Sequence, residues 1–129
     1  MFTKYKYFLF SEDPDTLVKF YQACLEMKFL KKLDYPRDYG YTVEAAPGYE
    51  VWIAKHSEIK GKNKEPVRHM LNLYTDEVER YCEKVKAYDG VKIIQEPMSM
   101  GEVIPGETRY VFTFLDPEGN CVQMMGKLK

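Results

Sequence analysis

The side chains that could do chemistry in this chain are few and far apart. There are two imidazoles, His56 and His69, and three thiols, Cys24, Cys82 and Cys121. An imidazole acts as a general base when a neighbour fixes its tautomer and a substrate proton lies within reach. His69 has no carboxylate partner in view, so it reads equally as a candidate base and as a hydrogen-bonded sheet residue. A catalytic thiol needs a base to form its thiolate, and no signature links a cysteine here to either histidine. Cys24 and Cys82 fall on apolar helix faces, which predicts reduced, buried thiols in a cytoplasmic protein. Aromatic residues make up 15% of the chain, with eleven tyrosines and the single tryptophan Trp52. Such rings supply core volume and also line small-molecule sites.

The elements that must position these groups come in two runs. Lys4–Phe10 is β-favouring, and Asp13-Pro14 supplies a helix N-cap followed by proline at the first helical position. Leu17, Phe20, Tyr21, Cys24 and Leu25 then recur at helical spacing, which predicts a helix from about Pro14 to Met27. Strands follow at Phe29–Tyr35, Tyr41–Ala45 and Glu50–Lys55, parted by turn signals at Pro36-Arg37-Asp38 and Pro47-Gly48. After a polar linker the order restarts, with a strand at Val67–Tyr74 and Thr75 as a capping residue. A helix carrying Val78, Tyr81, Cys82 and Val85 comes next, and Asp89-Gly90 stops it. Strands read at Val91–Gln95, Arg109–Leu115 and Cys121–Met125, with Gly126 ending the last and the tail Lys127–Lys129 assigned no role beyond solubility. Glu96–Glu107, rich in Pro, Gly and Met, is long enough for a flap. Its Met98 and Met100 would close over an apolar ligand, or the segment is a disordered loop. Asp13 and Asp76 open equivalent helices 63 residues apart, the interval that also separates Lys6 from His69.

Charge excludes some roles. With 19 basic and 20 acidic residues the formal net charge is −1, and no basic stripe favours nucleic acid or an anionic membrane. No apolar stretch approaches the roughly 20 residues needed to cross a bilayer. The first residues do not form a secretion signal. Neither nucleic acid nor membrane is expected as a partner.

The run Asp13-Pro14-Asp15, then Phe20-Tyr21, Leu25 and Lys28-Phe29 resembles the first helix of the vicinal oxygen chelate superfamily, which contains glyoxalase I, bleomycin-resistance proteins and extradiol dioxygenases. Leu115-Asp116-Pro117-Glu118-Gly119-Asn120-Cys121-Val122-Gln123 resembles its closing turn and last strand, and His69 precedes Asp76 by the seven residues seen in the family's second half. The resemblance spans nearly the whole chain. It implies an α+β fold in which two βαβββ modules form a curled mixed sheet, a cup, with the helices on its outer face. Module 1 would cover about residues 1–56, the linker 57–66 and module 2 about 67–129, in one homodimer-forming domain.

The resemblance also implies where metal ligands lie in metal-dependent members. Those positions hold Lys6, Trp52 or Ile53 (uncertain by one), His69 and Gln123, the last where the family has glutamate. A protonated ammonium has no lone pair, indole and alkyl groups cannot ligate, and an amide is a weak oxygen donor. The expectation is therefore no metal, no cofactor and no metal-dependent glyoxalase or dioxygenase activity. Strand alternation sets Lys6, Phe8 and Phe10 on one face and Tyr5, Tyr7 and Leu9 on the other. For Tyr110, Phe112 and Phe114 against Val111, Thr113 and Leu115 the pattern leaves the facing row open. The leading functional expectation is a metal-free protein that binds a small amphipathic or anionic molecule in an aromatic cup, through Lys6, Phe8, Phe10, Trp52, His69 and Gln123. The alternatives are a lyase or isomerase of the same superfamily, with an atypical metal set or with His69 as base, and an interaction module whose cup is filled by its own side chains.

Overall fold

The computed structural model describes residues 1–129 and divides into two compact units, Met1–Gly61 and Lys62–Lys129. In the first unit, β1 (Lys6–Ser11), α1 (Pro14–Ala23), β2 (Lys28–Tyr35), β3 (Asp38–Ala46) and β4 (Tyr49–Lys55) form a four-stranded sheet in the order β1-β4-β3-β2. In the second, β5 (Met70–Thr75), α2 (Val78–Lys86), β6 (Lys92–Ser99), β7 (Tyr110–Leu115) and β8 (Cys121–Gly126) repeat that topology as β5-β8-β7-β6. The pairs β1/β4 and β5/β8 are parallel and the rest antiparallel. The fold is thus α+β with two βαβββ modules, and neither mixed sheet is closed.

Each helix covers one face of its own sheet. Leu17, Val18, Phe20 and Tyr21 of α1 are buried, and α1 packs on β1, β3 and β4. The sheet answers with the alternate residues Leu9, Val43, Val51 and Ile53, all buried. In the second unit Val78, Cys82 and Val85 of α2 are buried, and α2 packs on β6, β7 and β8. Phe112, Phe114, Val122 and Met124 are buried with them. Phe112 pairs with Met124 and Phe114 with Val122, so these four share a face, and their near-zero exposure marks it as the helix side. That settles the row left open for β7.

The helix termini depart from expectation. The Asp13 carboxylate accepts the Thr16 N–H at 3.2 Å, the expected cap of α1. The helix stops at Ala23, however, short of Met27. Leu25 and Met27 are buried, so they extend the apolar pattern, but Glu26 turns the chain out of the helix at φ 55°. α2 begins after Glu77, not at Asp76, and Glu77 makes no side-chain cap bond. Backbone carbonyls of the tail take the place of that cap: Lys127 O accepts the Val78 N–H at 3.0 Å and Leu128 O accepts that of Glu79. The tail therefore has a structural role that the sequence reading denied it. The chain reaches this position through Gly126, at φ 152°, where a Cβ would lie 1.5 Å from the Thr75 carbonyl oxygen.

Two loop expectations divide. The turn Asp116–Asn120 is structural, as expected. The buried Asp116 carboxylate accepts N–H groups of Glu118 (2.8 Å) and Asn120 (2.9 Å), and Gly119 sits at φ 84°. The Glu96–Glu107 loop is shorter than expected: Glu96–Ser99 belongs to β6, where Met98 pairs with Val111 and Ser99 with Tyr110, and residues 100–109 connect it to β7. The register shifts at Gln95 and Met98 break the period-2 pattern, so Glu96–Ser99 carries no strand signal in the sequence.

The repeat interval also moves. β1 to β5 and α1 to α2 are each displaced by 64 residues (Lys6 to Met70, Pro14 to Val78), one more than the spacing of the two aspartates. The structural counterpart of Lys6 is Met70, and His69 precedes it.

Candidate functional site

The first sheet's face away from α1 carries a strip of rings. Parallel pairing sets Lys6 beside Glu50, Phe8 beside Trp52 and Phe10 beside Ala54. Period-2 alternation then puts Lys6, Phe8 and Phe10 in one row and Glu50, Trp52, Ala54 and His56 in the next. Phe8 and Phe10 meet edge to face, with centroids 5.9 Å apart, and Phe10 meets His56 at 5.0 Å. Trp52 is buried, whereas Phe8 is 54% exposed. Ile53, the alternative to Trp52 in the sequence reading, is fully buried in the opposite row.

Lys6 heads the strip. Its Nζ lies 5.6 Å from the Trp52 ring centroid, donates to Thr42 Oγ1 at 3.3 Å and lies 3.4 Å from Glu50 Oε1. The other Glu50 oxygen lies 3.3 Å from Lys4 Nζ. Lys4, and with it Lys6, holds the Glu50 carboxyl below its ordinary value. At the far end the Glu58 N–H donates to His56 Nδ1 at 3.1 Å. In the neutral ring that bond leaves the proton on Nε2, as a donor.

The second unit has a polar row on β5 and β8. Gln123 Nε2 donates to Asn72 Oδ1 at 3.1 Å, the Thr113 hydroxyl lies 3.4 Å from Gln123 Oε1, and Asn72 Nδ2 lies 3.8 Å from the Met125 sulfur. Asn72 is the register partner of Gln123. His69 stands one residue before β5 and is exposed. Within each unit the structure thus assembles Lys6, Phe8, Phe10 and Trp52, and it sets Gln123 beside Asn72 and not beside His69.

Several residues of these rows escaped the sequence reading. Glu50 and His56 lie two before and four after Trp52, so strand alternation alone could have placed them in its row. Thr42, Asn72 and Thr113 come from other strands, and only register brings them in.

A metal does not fit the side chains at the family's ligand positions. Lys6 is an ion-paired ammonium, Trp52 a buried indole, Gln123 a neutral amide bonded to Asn72, and His69 lies outside its strand. No group of three or more His, Cys, Asp or Glu side chains is arranged to hold a metal ion. No helix is long and apolar enough to cross a membrane.

Solved structures share this fold at low identity. A glyoxylase/bleomycin resistance protein/dioxygenase domain from Frankia sp. EAN1pec superposes with a TM-score of 0.77 at 13% identity, covering 98% of both chains. TioX from Micromonospora sp. ML1 gives 0.70 at 14% identity, covering 98% of this chain and 100% of that one. Glyoxalase I from Zea mays gives 0.72 at 20% identity over 96% of this chain, which spans under half of the maize enzyme, 44%. Among curated proteins none matches the sequence. The sequence itself matches the Glyoxalase/Bleomycin resistance protein/Dioxygenase superfamily over residues 5–124, in agreement with the paired βαβββ modules. The chain belongs to that superfamily.

Proposed function

We propose that this protein is a small-molecule-binding member of its superfamily that works without a metal and receives a flat, amphipathic molecule on the aromatic strip of β1 and β4. One observation carries the reading. Phe8 is half exposed, in line with Phe10 and beside Trp52, and Phe10 in turn meets His56, so an open ring continues a packed cluster of rings. A lone exposed apolar residue needs no explanation, but an aromatic surface with polar groups at both ends is the composition of a ligand site. Metal-free action is supported by the chemistry of the residues at the family's ligand positions. The cytoplasm is supported by three buried cysteines that form no disulfide.

Trp52 is the only tryptophan and lies in the strip, so its emission is the reporter. Titration with a panel of aromatic and amphipathic compounds should change that emission saturably for at least one class, and Phe8→Ala should weaken the response. A panel without any binder would replace this reading with that of an interaction module.

A further inference from the structure

Resting on the reading of the strip as a binding surface, we infer that Glu50 sets the charge class of the ligand by occupying Lys6, so that the strip disfavours anionic molecules. Lys6 is the cation beside the rings and would by itself attract an anion. Glu50 lies opposite it in register, 3.4 Å from Nζ, and Thr42 takes a second contact at 3.3 Å. The Trp52 ring lies 5.6 Å away, centroid to Nζ. The ammonium thus has one oxygen acceptor in Thr42, one charge partner in Glu50 and one aromatic neighbour in Trp52.

The pair is partly shielded. The Lys6 and Glu50 side chains are only 25% and 23% exposed, so solvent and salt screen them less than an open surface pair. Lys4 braces the second Glu50 oxygen and keeps the carboxylate facing Lys6. An anionic ligand laid along Phe8 and Phe10 reaches Lys6 only by displacing Glu50 or by settling beside a second negative charge. An uncharged ligand meets rings and, at the far end, the His56 Nε2–H, with no such conflict. The sheet's aromatic row therefore selects by shape and rejects by charge.

A matched pair of dyes tests this: anilinonaphthalene sulfonate, an anion, and N-phenyl-naphthylamine, its uncharged relative. The wild-type protein should bind the neutral dye more tightly. Glu50→Gln releases Lys6 and should strengthen sulfonate binding by about fivefold or more, with neutral-dye affinity held within about twofold. Glu50→Asp keeps the charge and should leave the sulfonate near its wild-type affinity. The double variant Lys6→Met with Glu50→Gln should lose the gain, which separates Lys6 from Lys4. Unchanged sulfonate affinity in Glu50→Gln, with neutral-dye binding intact, overturns the inference alone. A gain that survives in the double variant also overturns it. Failure of every form to bind either dye removes the binding surface, and the inference with it.

Discussion

Phe8→Ala separates a binding ring from a packing ring. Phe8 keeps 54% of its surface exposed, so about half of a full phenylalanine burial is available to a ligand. Full burial is worth about 1.5–3 kcal/mol, and an oriented ring contact adds about 0.5–1.5 kcal/mol. A flat ligand that covers the open half should therefore lose about 1.3–3 kcal/mol, or roughly 8–140-fold in affinity. The half already covered by the sheet, with its edge-to-face contact to Phe10, should cost about 1.3–3 kcal/mol of stability. Fluorescence titration with N-phenyl-naphthylamine reads the first quantity and urea unfolding the second. Phe2→Ala, at a residue 97% exposed and outside the strip, should change neither. A Phe8→Ala protein that unfolds as expected but binds the dye as the wild type does would refute the strip.

Gly126→Ala should destabilise by about 3 kcal/mol or more, because the new Cβ would strike the Thr75 carbonyl and dislodge the tail that caps α2. A urea midpoint near wild type would rule this out. Arg109, joined by the Arg109 and Thr108 N–H groups, lowers the Glu107 carboxyl from 4.5 to about 2. A depressed folded value stabilises above pH 4.5 and is lost as pH falls toward 2, so the stability gap to Glu107→Gln should shrink through that acid window; a constant gap would contradict the pairing. Elemental analysis of protein purified without chelators should find no stoichiometric divalent metal, and one tightly held Zn, Ni, Mn or Fe per chain would defeat the metal-free reading. Sedimentation should show a twofold dimer, against which a clean monomer at micromolar concentration would count.

The strands and helices of each module were legible because their signals are local. Asp13-Pro14 fixes where α1 begins, and the alternation of Lys6, Phe8 and Phe10 against Leu9 needs only the pleat of one strand. Signals failed where another segment intervened. The start of α2 could not be placed from Asp76, because the groups that satisfy its first amides are carbonyls of Lys127 and Leu128, about fifty residues further on. For the same reason the interval between modules came out one residue short, and His69 was matched to Lys6 where the strands match Met70.

The candidate site shows the same division. The presence of Lys6 and three aromatic rings on two strands was readable from residue types and parity. That Lys6 is no longer a free cation was not, since Glu50 and Thr42 reach it from β4 and β3 through register. Sequence alone determined which side chains stand on each strand's two faces, because alternation is a property of the single chain. Tertiary structure decided which of them touch, and so which charges are already neutralised, because register is set by the joint packing of several strands on one helix.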